Sequence, residues 1–203
     1  MEAVQTYIRG SLSKKKPGEL IFPTDYRGYG TEAAIKKALS RLVKEGKLRR
    51  LSHGIYYIPK TDAILGELKP AAEEVAQMIA RKEKIKIRPA GAYALNKLGL
   101  TTQVPTKLVY ITNGNQKQFR VGKLSVKFKP TVQKKLSMIG EISGLVIQAL
   151  EELDAKDITP AMAARIKELL LKEHPKKLQH DLKLAPARVN DIIVTFLKTS
   201  DKK

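Results

Sequence analysis

The stretch TEAAIKKALSRLVKEGKLRRLSHGIYYIP, residues 31–59, decides the fold. Its apolar residues Ile35, Ala38, Leu39, Leu42 and Val43 recur at helical spacing, the period that lays one face of a helix on a core. Thr31 is a capping residue, Glu32 suits the positive end of the helix dipole, and Gly46 is a usual terminator. The spacing predicts a helix from Thr31 to about Glu45. At about 100° per residue, its opposite face holds Ala33, Lys37, Ser40, Arg41 and Lys44, with Lys36 on the flank. That face is small near its start and basic further along. A helix docking in the major groove needs both properties, close approach first and then reach to bases and phosphates. Behind it, residues 48–51 and 55–59 flank Ser52-His53-Gly54 and predict a β-hairpin carrying Arg49, Arg50 and His53.

Working outward toward the N-terminus, Val4, Tyr7, Ile8 and Leu12 give an opening amphipathic helix, broken by Lys14-Lys15-Lys16-Pro17-Gly18. Leu20-Ile21-Phe22 is a short apolar run, and Pro23-Thr24-Asp25 opens a second, short helix. Arg27-Gly28-Tyr29-Gly30 is a turn before the capped helix. Helix, short helix, turn, helix and hairpin, in that order, read as a winged helix-turn-helix over residues 1–62. A single basic helix face is usually just solvated surface. The ordered set, closed by a hairpin with a basic turn, is what points to DNA. Residues 1–60 hold thirteen Lys and Arg against five Asp and Glu.

Toward the C-terminus, Thr61 to Lys69 reads as a connector, and Pro70 opens a helix with Ala72, Val75, Ala76 and Ile79 inward. Ile85 to Arg88 alternates as a strand, a short helix holds Tyr93, Ala94 and Leu98, and Leu108 to Ile111 is a buried strand. Residues 119–121 and 124–128 flank Gly122-Lys123, a two-residue hairpin loop. The last third shows apolar stripes at Ile142 to Leu153, after Thr159-Pro160, and from Val189 to Leu197. The expected class is α+β, with residues 63–203 forming a small mixed α/β domain with a helical C-terminal part.

The whole 203-residue chain carries 39 Lys and Arg against 20 Asp and Glu, a formal charge of +19. Such a surface seeks a polyanion, and thermophile-style lysine enrichment would normally bring Glu with it. No stretch approaches the roughly 20 apolar residues of a membrane span. Residues 1–16 lack the apolar core of a signal peptide and there are no cysteines, so a cytoplasmic location is expected.

Catalytic and metal constellations find no support in the residues, and neither an enzymatic activity nor a cofactor is expected. Gly28-Tyr29-Gly30-Thr31-Glu32-Ala33 matches a loose dinucleotide pattern, but Pro23-Thr24-Asp25 interrupts the preceding strand and Arg49-Arg50 stands where an acid is needed. His53, His174 and His180 have no metal-ligand spacing and read as surface residues. Glu67-Leu68-Lys69 is half of a nuclease carboxylate-x-Lys pattern, without a companion acid to hold magnesium.

Four stretches carry a family resemblance: Phe22-Pro23-Thr24-Asp25, the helix end from Leu39 to Gly46, the hairpin from Leu48 to Tyr57, and residues 89–105, PAGAYALNKLGLTTQVP. Together they resemble the AbiEi-type antitoxin regulators over roughly residues 5–130. The resemblance implies a repressor acting on double-stranded DNA at its own promoter. It also implies a second domain that counters a nucleotidyltransferase-type toxin, as a functional partner. It maps the DNA face to Thr31, Lys37, Ser40, Arg41 and Lys44, with Arg49 and Arg50 in the wing; the residues themselves add Lys36 and His53. The competing expectation is a non-specific DNA- or RNA-binding protein without a toxin partner, since residues 61–203 still carry a net +11. Scarce aromatics, 5% of the chain, weigh against base stacking.

Overall fold

The computed structural model describes residues 2–198. It is a mixed α+β protein with two compact units. One holds the chain up to Ile79 together with Phe119–Leu124; the other holds Ala80–Gln118 and the chain from Ser125 onward. A short hairpin segment is thus grouped with the first unit.

In the first unit, α1 (Glu2–Leu12) leads to strand β1 (Leu20–Ile21) and a single 3-10 turn at Pro23–Tyr26. The short second helix expected there is only this turn. Pro23 starts it, and Asp25 accepts the Phe22 N–H at 2.9 Å, closing it within four residues. Helix α2 (Glu32–Lys44) follows the Thr31 cap, whose hydroxyl accepts the Ala34 N–H at 3.2 Å. Gly46, at φ +73°, adopts the left-handed conformation that lets the chain leave the helix. Strands β2 (Arg49–Ser52) and β3 (Ile55–Tyr57) form the hairpin, and β1 pairs antiparallel with β3, giving sheet order β1-β3-β2. Ile8, Ile21, Leu39, Leu42 and Leu48 are fully buried between these elements. Each contributes about 1.5–3 kcal/mol of burial.

The stretch read as a connector folds into a second hairpin, β4 (Lys60–Asp62) and β5 (Gly66–Leu68). The Asp62 carboxylate accepts the N–H groups of Ile64 and Leu65 at 2.9 Å each, and Gly66 takes φ +71°. This is the side-chain-closed turn that Asp favours. Helix α3 (Ala72–Glu83) then buries Ala72, Val75, Ala76, Ile79 and Ala80.

The second unit holds β6 (Ile87–Pro89), α4 (Ala92–Lys97), β7 (Lys107–Thr112) and, from Ser125, β9 (Leu124–Pro130); β8 (Lys117–Val121) is grouped from Phe119 onward with the first unit. Their sheet runs β6-β7-β9-β8, with β6 antiparallel and β9 parallel to β7. Pro89 is tolerated because β6 lies at the sheet edge. Tyr110 and Phe128 pack edge to face with centroids 5.9 Å apart. The short α5 (Gln133–Leu136) precedes a helical assembly of α6 (Glu141–Glu151), α7 (Pro160–Leu171), α8 (Pro175–Leu184) and α9 (Ala187–Lys198). Val146, Ile147, Leu150, Ile166, Leu170, Val189 and Ile193 are its buried centre.

Candidate nucleic-acid interface

The outer face of α2 exposes Lys36, Lys37, Ser40 and Lys44, while Ile35, Ala38, Leu39 and Leu42 are buried beneath. Among the described residues no hydrogen-bond or ion-pair partner stands by Lys37, Ser40 or Lys44. Lys36 lies 2.5 Å from Glu32 one turn earlier, and that ammonium holds the Glu32 carboxyl below its ordinary range. An exposed pair of this kind is easily exchanged for another anion. Thr31 uses its hydroxyl for the cap, so what it can offer a partner is mainly its place at the positive end of the helix.

Two arginines expected on this surface are engaged elsewhere. Arg41 is half-buried and donates from Nη1 to Gln5 Oε1 of α1 at 3.3 Å. Gln5 and Arg9 in turn donate to Glu45, at 2.7 and 2.6 Å, so this edge of α2 is fastened to α1. Arg49 faces Glu67 of β5: Nε donates to both carboxylate oxygens at 3.0 and 2.9 Å, and Nη2 lies 2.7 Å from Oε2. Its Nη1 also donates to the Gly46 carbonyl at 3.2 Å. The hydrogen bond from Arg49 lowers the Glu67 pKa, while burial and the bond to Glu67 raise that of Tyr57. Glu67, singled out in the sequence for a nuclease-like pattern, is an anchor for Arg49 and Tyr57.

The remaining hairpin residues do face outward. Arg50 is exposed and its Nη2 lies 3.3 Å from His53 Nδ1, which is also exposed at the turn. The exposed set is therefore Lys36, Lys37, Ser40 and Lys44 on the helix and Arg50 and His53 on the hairpin. Sequence reasoning missed that Tyr7 and Tyr29 stack with centroids 3.9 Å apart. Their stacking joins α1 to the turn before α2.

The second unit carries the other concentration of charge, at the start of α6. Asp181 of α8 is fully buried and accepts the N–H groups of Ile139 and Gly140 at 2.9 Å each and the Ser143 hydroxyl at 2.6 Å. His180 Nδ1 lies 2.9 Å from its other side. Burial pushes the Asp181 carboxyl up, but these hydrogen bonds outweigh it and hold the group below its ordinary range. Glu173 accepts the Ile142 and Ser143 N–H groups and is held low by such bonds in the same way, against the opposing push of burial. Arg88 donates to the carbonyls of Met138 and Gly140 at 2.7 and 3.2 Å. Of the histidines read as surface residues, His180 thus touches a buried acid, and His174 accepts the Lys176 N–H at the start of α8. The N–H groups of Ile139, Gly140, Ile142 and Ser143 and the Ser143 hydroxyl all end on one of the two carboxylates, which together cap the start of α6. Among the described residues no three His, Asp or Glu side chains gather as metal ligands would, and no helix is long and apolar enough to cross a membrane.

Fold and surface together define an α+β protein that presents a cationic helix face and a hairpin beside it. The chain belongs to a family of unknown function, DUF6088, whose profile matches residues 7–178. No curated protein matches the sequence.

Proposed function

We propose that this protein is a sequence-specific DNA-binding transcriptional repressor whose N-terminal unit works as a winged helix-turn-helix. In this reading α2 is the recognition helix, and β2–β3 is the wing. Ser40 and the small residue Ala33 approach base edges, and Lys36, Lys37 and Lys44 neutralise phosphates. Arg50 and His53 touch the backbone beside the groove. Arg41 and Arg49 act one step back, holding α2 to α1 and the wing to β5.

The observation that carries the reading is the row of exposed Lys37, Ser40 and Lys44, unpartnered among the described residues, on a capped helix with a cationic hairpin directly after it. The resemblance to AbiEi-type antitoxins adds the further proposal of autorepression, with the second unit countering a nucleotidyltransferase-type toxin. The protein works in the cytoplasm, without enzymatic activity or cofactor of its own.

A gel-shift titration against DNA upstream of the protein's own gene, with scrambled DNA of equal length as competitor, tests the reading. Specific retention at near-physiological salt is expected. Equal loss to the scrambled duplex favours the second reading, a non-specific nucleic-acid binder. One observation speaks for that alternative: residues 84–140 contain twelve Lys and Arg and no Asp or Glu.

A further inference from the structure

The β4–β5 hairpin ends in two large apolar side chains turned to water, Ile64 at 92% and Leu65 at 75% exposure. Exposed apolar residues scattered singly need no explanation. A pair at the end of a two-stranded ribbon, held in place from below, is a different matter. The turn is fixed by Asp62, whose carboxylate takes both the Ile64 and Leu65 N–H groups. Those two bonds hold Asp62 below its ordinary range. The base is fixed by Glu67, gripped by Arg49 of β2 and by the Tyr57 hydroxyl of β3.

Charge on this hairpin is distributed unevenly in what it leaves available. Both acids, Asp62 and Glu67, are engaged within the protein. Both cations, Lys60 and Lys69, are exposed and have no ion-pair partner among the described residues. A partner therefore meets an apolar tip on a ribbon with a lysine at the base of each strand. The ribbon is clamped through Arg49 to the same β2–β3 hairpin assigned to the DNA backbone, so it is carried to the duplex with it.

We infer that the β4–β5 hairpin is a DNA-deforming wedge: Ile64 and Leu65 enter the minor groove and part a base step, while Lys60 and Lys69 neutralise the flanking phosphates. Aliphatic side chains inserted in this way unstack a step and bend the duplex, in exchange for a larger wrapped surface. The preferred target is a pyrimidine–purine step such as TA, which unstacks most easily. This inference rests on the DNA-binding reading and extends it to the shape of the bound DNA.

The test compares the full-length protein with the Ile64→Ser/Leu65→Ser double variant, whose changes lie on exposed positions. The probe is a duplex of about 30 base pairs with a central TA step, 2-aminopurine beside the step, and a fluorescent dye pair at its ends. The wild type is expected to raise the 2-aminopurine signal and bend the duplex by about 20–90°. The double variant, melting at the same temperature as wild type, is expected to leave the duplex straight and the 2-aminopurine quenched. An Ile64→Leu/Leu65→Met variant should restore both signals. Equal bending by wild type and the serine variant would overturn the wedge while leaving the DNA-binding reading intact. So would a loss, in the serine variant alone, of self-association or of adsorption to anionic vesicles, with bending unchanged. Failure of the wild type to bind the duplex at all would remove the underlying reading, and with it this inference.

Discussion

The first turn of α6 and the outer face of α2 both gather charged and polar side chains, and they treat them in opposite ways. At α6 the groups are turned inward. Asp181 is at 0% exposure, and it shares the donors of the helix start with Glu173, while Arg88 takes the carbonyls of Met138 and Gly140. On α2 the exposed Lys37, Ser40 and Lys44 satisfy nothing among the described residues. A charge that completes the fold is unavailable to a partner, and one that completes nothing adds little stability. The same division runs through the sites expected from sequence: Arg41 and Arg49 belong with the first group, Lys37 and Lys44 with the second.

Substitutions can break or sharpen this division. The largest effect is expected at Asp181→Ala, which strands buried donors and should lower stability by about 3 kcal/mol in urea unfolding. Acid should act on the same place. Because Asp181 and Glu173 are held below their ordinary range, their contribution is complete above about pH 4 and disappears as pH falls through those lower values. The urea midpoint should therefore fall below about pH 4, with Asp181→Ala flattening the decline.

Next comes Gly144→Ala. A Cβ there would lie 1.8 Å from Arg88 Nη1, so the guanidinium must swing away from the two carbonyls. The expected loss is about 2 kcal/mol, the scale of hydrogen bonds from a charged donor. DNA affinity, measured well below the melting temperature, should not change in either variant. The converse holds for Lys37→Glu/Lys44→Glu: DNA affinity should fall roughly tenfold or more at moderate salt while the melting temperature stays within a degree or two of wild type. Thr31→Ala removes the α2 cap and should cost about 1 kcal/mol, with a small secondary loss of affinity. The smallest effect on DNA is expected from Arg49→Gln. It should lower affinity less than Lys37→Gln does, because Arg49 is already satisfied by Glu67.

Much of this was legible in sequence where local chemistry decides. Thr31 and Gly46 bracket α2, the turn at His53-Gly54 marks the hairpin, and Gly122-Lys123 joins β8 to β9. The elements missed are those whose order comes from polar groups. Strands β4 and β5 have three residues each and show no apolar alternation; Asp62 and Gly66 were the signal, a turn and not a strand pattern. Helix α8 was missed because its inward face includes Asp181, an acid where periodicity looks for a leucine.

The site followed the same rule. Exposure of Lys37, Ser40 and Lys44 could be read from a helical wheel, since only the α2 core stripe sets it. The fates of Arg41 and Arg49 could not, because their partners Gln5 and Glu67 lie 36 and 18 residues away along the chain. The order of the β4–β5 hairpin has the same origin: Glu67 ties it back to β2 and β3, which a reading of residues 61–69 as a connector could not show.

The salt dependence of DNA binding tests the central claim most directly. Affinity for the upstream duplex would be measured across a salt series for the wild type and for Lys37→Gln/Lys44→Gln. If these lysines neutralise phosphates, the slope of log affinity against log salt should become shallower by about 1.8, roughly 0.9 for each phosphate no longer neutralised. An unchanged slope, with unchanged affinity, would contradict the assignment of this face to DNA.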